Sequence, residues 1–343
     1  MTSMLLDISL PKPIVLPTAQ LTGMYACMLG IDYILLRNQK KLLISKHTLR
    51  LGMTVVHAIV PLAIVSPLLP NNVTFAAVPW FLASYSAYLP TENFTWTGWL
   101  KALYSTMVDR SDPQRNKHAQ GLLKALRGVT KLAVLYFGVE PLLPTMPDAM
   151  LAYPWFSKES LTDTFLFGLK AYLILGAVDV TTGLAQAVTG WCMVDMFDSP
   201  LLATSPRDFW SRRWNKTVRN LLHSLVFTPS LDADKKTVEK KQGFFSTQMG
   251  RGLLSFIVSG AFHELIICSV CRKLTLENFC FFTLHGLACM VNRFNPKKEP
   301  QGLERVGRIM AQLSFMVVTG RLFLAPFLRT RFTEILPITH QIY

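Results

Sequence analysis

The sequence predicts an all-α integral membrane protein with about eight transmembrane helices and amphipathic helices on its cytosolic side. Composition provides the first observation, since half of the 343 residues are hydrophobic and the mean hydropathy is +0.31. The second is that 16% of the residues are charged, whereas soluble domains carry about 25%. The third is a series of apolar stretches, each long enough to cross a hydrocarbon core about 30 Å thick with its backbone hydrogen-bonded internally.

These apolar stretches divide the chain into candidate spans. The third and the seventh are short, so we expect a total of about seven to nine. Because no soluble segment between them is long enough to fold alone, we predict a single membrane-embedded domain over residues 1–343. The expected spans are residues 14–36, 51–69, 73–89, 130–147, 161–188, 247–270, 276–291 and 306–328.

The basic residues that give the chain its net charge of +14 lie mostly in connections between the predicted spans and do not form a nucleic-acid-binding patch. Most of the 35 lysines and arginines fall in four alternate connections, at 37–50, 101–131, 192–251 and 293–308. The positive-inside rule places such connections on the cytosolic face of the membrane. We therefore predict that these four segments are cytosolic, that both chain ends lie on the opposite side, and that nucleic acid is not a partner.

Motifs of several other enzyme classes are missing from the sequence. No G-x-S-x-G provides a serine nucleophile, and no P-loop or dinucleotide-binding glycine pattern is present. Cys268 and Cys271 form a lone C-x-x-C without a second pair of ligands, so no metal site is predicted. These absences argue against a serine hydrolase, a nucleotide-driven pump and a dehydrogenase.

The third cytosolic segment contains a predicted helix from Pro206 to about Leu222. Ser205 is a suitable N-cap, Pro206 suits the first helical position, and Asp208 closes a capping box.

Two stripes at helical spacing run along this predicted helix. One interpretation is an interfacial helix, with tryptophans at headgroup depth and cations facing anionic lipids. The other is that the cations bind phosphate groups while the second face covers a cavity in the membrane. The aromatic stripe comprises Trp210, Trp214 and Val218, and the basic stripe comprises Arg212, Lys216 and Arg219.

Polar side chains within the predicted spans are candidate functional residues because they are costly in a bilayer. The strongest candidates are His263 and Glu264, in the motif S-G-A-F-H-E-L near the middle of the sixth span. Ser259 and Gly260 precede them and let another helix approach closely. An intramembrane histidine also serves as an interhelical hydrogen-bonding group, so a structural role stays open beside a catalytic one. We expect His285, in the next span, to line the same cavity.

The other polar residues of the predicted spans have structural interpretations. We expect Asp32, Lys170 and Asp179 to pair with one another or to line a water-filled path. His57 has no acidic residue near it in the sequence, so we expect it to be a packing histidine.

Several of these motifs resemble one enzyme family. The run S-P-R-D-F-W-S-R-R-W-N at 205–215 resembles the signature of wax-synthase-like enzymes, a group of membrane-bound O-acyltransferases. S-G-A-F-H-E-L and F-F-T-L-H-G (281–286) resemble two further landmarks of the family in the expected order, and D-Y-I-L-L-R-N-Q (32–39) is similar as well. The signature region covers about 192–292, and the compact length together with the similarity to fungal members favours an acetyltransferase-type member.

The resemblance implies fold, reaction and site residues. It implies a membrane-bound O-acyltransferase-like fold and direct transfer from acyl-CoA to an alcohol, with His263 as the catalytic base and Asn215 as a second catalytic residue. Acyl-CoA, with acetyl-CoA preferred, enters as a co-substrate, and no bound cofactor is expected. The expected acyl-CoA contacts are Arg212, Arg213, Arg219, Trp210 and Trp214, and the expected cavity-lining residues are Glu264 and His285.

The implied acceptor is a lipophilic alcohol, such as a terpenoid or meroterpenoid of secondary metabolism. The alternative within the family is synthesis of long-chain wax esters. An alternative from another class is a small-solute transporter, because intramembrane charges also mark ion pathways. Inverted repeats would favour transport, and none is visible in the sequence. We expect a multi-pass protein of the endoplasmic reticulum membrane.

Overall fold

The computed structural model describes residues 5–109, 117–227, 243–291 and 300–330. Within these ranges the chain is mostly helical, which confirms the predicted all-α class. The α-helices are α1 (Thr18–Arg37), α2 (Lys46–Ala63), α3 (Leu69–Tyr88), α4 (Trp96–Ser105), α5 (Lys117–Val134), α6 (Lys158–Ile174), α7 (Gly176–Thr189), α8 (Pro206–Asp208), α9 (Lys216–Phe227), α10 (Gln248–Cys271), α11 (Glu277–Val291) and α12 (Gly302–Arg329).

Shorter elements join these helices. The two-residue strand β1 (Ile8–Ser9) pairs antiparallel with β4 (Lys273–Leu274), and β2 (Ile14–Val15) pairs parallel with β3 (Ile64–Val65). The N-terminal segment is thereby held against the end of α2 and the connection between α10 and α11. π-Helical turns lie at Leu135–Val139 and Phe209–Arg213, and 3₁₀ helices lie at Thr91–Asn93, Glu140–Leu142, Pro147–Leu151, Pro200–Leu202 and Phe244–Ser246.

Each predicted span overlaps at least one of these helices, and half of the eight meet the length and hydropathy expected of a membrane-crossing helix. Within the described ranges, 4 helical segments are long and apolar enough to cross a membrane: Thr18–Arg37, Lys158–Thr189, Gln248–Cys271 and Gly302–Arg329. The chain is therefore a helical protein with 4 candidate membrane spans, and the count of about eight stays a prediction.

Two predicted spans have different bounds in the structure. α2 ends at Ala63, two residues after Pro61, and does not continue to residue 69. α5 begins at Lys117, well before the predicted start of its span, and is followed by the π-turn and a 3₁₀ helix. Prolines recur after this point, at Pro141 and Pro144, and proline removes a helical hydrogen bond and clashes with the preceding turn.

α5 and α7 pack closely against each other through glycines. Gly121 and Gly128 of α5 face Gly183 and Gly176 of α7, and a Cβ atom at any of the four would overlap backbone atoms of the facing helix. Small residues of this kind let two helix backbones approach each other closely and make extensive van der Waals contact.

The expectation that Asp32, Lys170 and Asp179 pair with one another is wrong. Oδ2 of Asp32 lies 2.8 Å from Nε2 of His57, and Nζ of Lys170 lies 2.8 Å from Oε1 of Glu140. Asp179 is paired with two cations of α5. His57 is buried, as expected of a packing histidine, but α1 places the carboxylate of Asp32 against it although no acidic residue lies near it in the sequence. Each buried charge has its own partner on another element, as burial of an ionised group requires.

α10 is the central helix around which the site is built. It contacts α2, α3, α9, α11 and α12. On the α3 side, the ring of Trp80 stacks on Phe262, with centroids 4.4 Å apart and planes at 27°. Gly260 faces α11, where a Cβ atom would lie 3.1 Å from Cα of Phe279. The predicted close approach of a helix at this glycine is therefore confirmed.

Candidate active site

His263 lies near the middle of α10, and one of its ring nitrogens is engaged by the backbone of that helix. Its Nδ1 atom is 2.8 Å from the carbonyl oxygen of Ser259, one turn earlier in the helix. A carbonyl oxygen only accepts hydrogen bonds, so Nδ1 carries the proton and donates. The lone pair of the neutral ring is therefore on Nε2. Within the part of the chain that the structure describes, Nε2 makes no hydrogen bond, and the side chain is only half-buried.

Aromatic rings from α11 and α12 surround this histidine. The Phe282 ring centroid is 4.1 Å from that of His263, with the planes at 35°, and the Phe323 centroid is 6.1 Å away. These rings are apolar and pack against the imidazole. They restrict the orientation of the His263 ring.

Glu264 stabilises the turn between α10 and α11. One carboxylate oxygen accepts hydrogen bonds from the backbone N–H groups of Thr275 (2.8 Å) and Leu276 (2.6 Å), and the other accepts from the N–H of Phe279 (3.4 Å). A carboxylate at a helix N-terminus satisfies unpaired N–H groups and is favoured by the helix dipole. Glu264 thus fixes α11, and with it Phe282, relative to His263.

His285 is buried, and both of its ring nitrogens are hydrogen-bonded. Nδ1 lies 3.0 Å from the indole nitrogen of Trp210, and Nε2 lies 3.0 Å from Oγ1 of Thr319 on α12. The side chain is 0% exposed. The structure therefore brings His285 close to the signature segment but leaves it without a free nitrogen.

The predicted helix from Pro206 to Leu222 is interrupted in the structure. Its start is confirmed, because Oγ of Ser205 accepts the N–H of Asp208 at 3.1 Å. The helix then continues only through the π-turn, and Asn215 has the left-handed φ of 42°. Asparagine tolerates that conformation better than most residues. Its side-chain oxygen accepts the N–H of Val218 at 3.2 Å, which is the cap of a new helix, α9.

The interruption separates the two predicted stripes. The Trp210 ring is half-buried, with its centroid 5.3 Å from that of Phe282 and 5.8 Å from that of Phe256. The Trp214 ring stacks on Phe209 at 5.3 Å, with the planes at 16°. Both tryptophans pack against other aromatic residues of the protein, so the single amphipathic stripe expected from their spacing is not formed.

The three arginines that were predicted to contact acyl-CoA have different surroundings in the structure. Nε of Arg213 donates to the carboxylate of Asp208 at 2.8 Å. The guanidinium of Arg219 donates to the carbonyl of Ser211 at 2.7 Å. Arg212 is exposed. Arg213 and Arg219 thus bind groups of their own segment, and Arg219 is exposed like Arg212.

Basic residues of α5 bind Val194 and Asp195, which precede the 205–215 motif. This contact was not predicted from the sequence. The Arg127 guanidinium bridges Asp179 and Asp195, with its Nη1 atom 2.9 Å from Asp195. Nζ of Lys131 lies 2.7 Å from Asp179, and Nζ of Lys124 donates to the Val194 carbonyl at 2.9 Å. The sequence feature that could have predicted this contact is the spacing of Lys124, Arg127 and Lys131, which puts the three cations on one face of a helix.

These cations also determine the ionisation of Asp195. Burial alone would raise the pKa of this carboxyl group, but the hydrogen bonds and charge of Arg127, with Lys124 and Lys216 nearby, hold the pKa below its ordinary value. Asp195 is therefore an ionised anchor for the segment that leads to the candidate site.

A separate cavity of about 740 Å³ lies between α4 and the residues that follow α7. None of the predicted site residues lines it. Its wall combines apolar and basic side chains, including Leu89, Phe94, Lys101, Lys117 and Trp191.

The part of the chain that carries the central histidine of the candidate site is similar to known protein sequences. Residues 193–284 match the model of the membrane bound O-acyl transferase family. This range contains Trp210, Asn215 and His263, so the resemblance predicted from the sequence is confirmed over the part of the chain that carries the candidate site.

Three similar proteins of Arabidopsis thaliana have related names. Probable long-chain-alcohol O-fatty-acyltransferase 1 is 37% identical over 176 residues, which are 49% of this chain and 50% of that protein. Acyl-CoA–sterol O-acyltransferase 1 is 31% identical over 175 residues, 49% of each chain. Probable long-chain-alcohol O-fatty-acyltransferase 3 is 29% identical over 232 residues, 65% of this chain and 63% of its own. The chain spans about half the length of most of these relatives.

Proposed function

We propose that the protein is a membrane O-acyltransferase that moves an acyl group from acyl-CoA to the hydroxyl of a lipophilic alcohol. The observation that carries the proposal is the ring of His263, within the range that matches the acyltransferase family: Nδ1 is held by the Ser259 carbonyl, and Nε2 has no hydrogen-bond partner among the described residues. An alcohol is a weak nucleophile and needs a base as it attacks. An accessible neutral imidazole supplies that base.

In the proposed mechanism, Nε2 of His263 takes the proton of the acceptor hydroxyl while its oxygen attacks the thioester carbonyl carbon. The tetrahedral intermediate collapses with cleavage of the carbon–sulfur bond. The proton on His263 then passes to the departing thiolate, which gives the ester, free CoA and neutral His263. General base catalysis of this kind contributes about 10²- to 10⁴-fold to the rate.

Asn215 is proposed to donate a hydrogen bond to the carbonyl oxygen of the thioester. Its side-chain oxygen is engaged in the cap of α9, which leaves the amide N–H₂ group for this donor role. α9 packs directly on α10, the helix of His263. A preorganised donor aimed at the developing oxyanion lowers the barrier, and loss of one such donor costs about 10²- to 10³-fold.

Acyl-CoA is proposed to approach from the cytosolic side. The side chains of Arg212 and Arg219 are exposed and are candidates for a phosphate contact, whereas Arg213 is less exposed and donates to the carboxylate of Asp208. Trp210 and Trp214 are proposed to form the aromatic wall beside the acyl donor. We place the protein in the endoplasmic reticulum membrane, where a lipophilic acceptor dissolves in the bilayer and acyl-CoA is supplied by the cytosol.

Two acyl donors are proposed. The resemblance to fungal members favours acetyl transfer to a terpenoid or meroterpenoid alcohol. The names of the relatives, which refer to long-chain alcohols, fatty acyl groups and a sterol, support transfer of a long-chain acyl group.

One assay tests the reaction and separates the donors. Membranes that contain the protein are incubated with labelled acetyl-CoA or palmitoyl-CoA and with a long-chain alcohol, a sterol or a terpenoid alcohol. We expect an ester with at least one pair and none with the His263→Ala variant. His118→Ala is a matched control, because the Nδ1 atom of His118 also bonds a backbone carbonyl, that of Ala187 at 2.6 Å, on an exposed part of the chain. Absence of any ester, with solute transport by the same protein in sealed vesicles, would overturn the proposal.

A further inference from the structure

The hydrogen bonds around His285 fix the tautomer of its ring. The indole N–H of Trp210 can only donate, so Nδ1 of His285 accepts at 3.0 Å and carries no proton. The ring proton is therefore on Nε2, which donates to Oγ1 of Thr319 at 3.0 Å. The Thr319 hydroxyl in turn donates to the carbonyl of Phe315 at 2.8 Å. These atoms form a relay in which each donor has an acceptor.

This relay determines where Trp210 lies. Trp210 belongs to the signature segment, whereas its partner is on α11, and the two residues are 75 positions apart in the chain. The Trp210 ring centroid is 5.3 Å from that of Phe282, and the Phe282 centroid is 4.1 Å from that of His263. The hydrogen bond from Trp210 to His285 thus positions the Trp210 ring against Phe282, which in turn packs against the imidazole of His263.

We propose that His285 is a positioning residue for the acyl transfer, so this inference rests on the proposed function. As the neutral tautomer with its proton on Nε2, His285 holds Trp210, and Trp210 and Phe282 together hold the His263 ring in its reactive orientation. His285 transfers no proton itself, because both of its nitrogens are already hydrogen-bonded. Protonation of Nδ1 would place a donor against the Trp210 donor and break the relay.

A relay and simple packing predict different effects of substitution. Packing depends on the volume of the side chain, so a residue of similar volume would suffice. The relay requires an acceptor at the position of Nδ1. His285→Leu removes that acceptor, whereas His285→Asn keeps an acceptor oxygen near it. Trp210→Phe keeps an aromatic ring and removes only the indole N–H.

Steady-state kinetics on folded enzyme test the relay. We expect His285→Leu and Trp210→Phe each to lower kcat by about 10- to 100-fold, since a small misplacement of a catalytic group has effects of this size. KM for acyl-CoA should stay nearly constant, and the double variant should be no worse than either single one. His285→Asn should recover part of kcat. Unchanged kcat in His285→Leu, or losses that add in the double variant, would overturn the proposal.

Trp155→Phe is the matched control. Its indole N–H also donates to a single acceptor, the Val318 carbonyl at 2.9 Å. Trp155 follows the 3₁₀ helix Pro147–Leu151 and is outside the relay, so its loss should leave kcat unchanged. A similar fall of kcat in this variant would show that any lost indole hydrogen bond has the same effect.

A chemical label provides a readout that needs no turnover. Diethyl pyrocarbonate acylates an unprotonated imidazole nitrogen, which His263 offers at Nε2. We expect the labelling rate of His263, measured by peptide mass spectrometry, to change several-fold in Trp210→Phe and His285→Leu and to stay constant in Trp155→Phe. If the wild-type protein forms no ester with any substrate pair, the proposed function fails, and labelling still decides the positioning role. An unchanged rate in both relay variants would refute that role.

Discussion

His263 and His285 lie on adjacent helices and hold their ring protons on opposite nitrogens. His263 donates from Nδ1 to a carbonyl of its own helix, and His285 accepts at Nδ1 from Trp210 of another segment. Because the second nitrogen of His285 is also engaged, only His263 of the two keeps a ring nitrogen without a hydrogen-bond partner among the described residues. Two histidines that look equivalent in the sequence therefore differ in their ability to accept a proton. The hydrogen-bond partners of each ring determine this difference.

The first prediction concerns the base itself. His263→Ala should lower turnover by at least ~10²-fold, because the acceptor hydroxyl loses its proton acceptor. Expression, membrane insertion and binding of acyl-CoA should stay close to those of the wild-type protein, since the variant loses the hydrogen bond from Nδ1 to a carbonyl of its own helix and a typical intramolecular hydrogen bond contributes only about 0.5–1.5 kcal/mol. Ester formation and acyl-CoA binding are measured on the same membranes. Near-normal turnover would exclude His263 as the base.

The second prediction concerns topology. A protease-sensitive tag inserted next to Lys101 should be digested in sealed microsomes, because the predicted cytosolic segments carry most of the basic residues. A tag inserted next to Lys158, at the start of α6, should be protected. Protection of the first tag together with digestion of the second would reverse the orientation.

The third prediction separates the arginines of the signature segment. Arg212→Gln should raise KM for acyl-CoA about tenfold with kcat nearly constant, since a charge-assisted hydrogen bond contributes about 1.5–3 kcal/mol and loss of uniform binding changes KM. Arg213→Gln should instead lower the yield of folded protein, because Arg213 holds Asp208. Lys41→Gln, an exposed charge change in another basic segment, is the control. An unchanged KM in Arg212→Gln would remove this residue from the donor site.

The sequence predicts those features of the site that depend on local pattern. The length of the apolar stretch predicts α10 and puts His263 near the middle of the span, and the capping residue Ser205 predicts the start of α8. Gly260 predicts the close approach of α11. Each of these features depends on residues only a few positions apart, whose periodicity or hydrogen bonding is visible in the chain itself.

Features that depend on distant partners could not be predicted from one sequence. The pair of Asp32 with His57 joins residues 25 positions apart, and the relay joins Trp210 to α11 across 75 positions. The interruption at Asn215 is local, but its signal is ambiguous, because asparagine is also tolerated within helices at a modest cost. Packing of Trp210 against α10 and α11 decides that the chain turns there.

The fourth prediction uses the lowered pKa of Asp195. A carboxyl group with a folded pKa below its unfolded value of about 3.9 contributes stability above that value, and the contribution is lost as the pH falls through the folded pKa. Asp195→Asn should therefore lower thermal stability equally at about pH 6 and about pH 8. The side chain is 43% exposed, so solvent screening limits the effect to about 1 kcal/mol. A loss that differs strongly between the two pH values would contradict this assignment.

The last prediction distinguishes the two adjacent polar residues of α10. Glu264→Gln should destabilise the protein by about 2–4 kcal/mol, because its carboxylate accepts backbone N–H groups at the start of α11 and hydrogen bonds to a charged group are the strong ones. The folded fraction should retain a kcat near that of the wild-type protein, the reverse of the pattern expected for His263→Ala.

Glu304→Gln is the control for this prediction. The carboxylate of Glu304 is 60% exposed and pairs with Arg308 on the helix surface, where such pairs contribute about 0–1 kcal/mol. Thermal unfolding and kcat per folded enzyme are measured for all three variants. A normal melting temperature with lost turnover in Glu264→Gln would assign the carboxylate to the reaction and not to the turn.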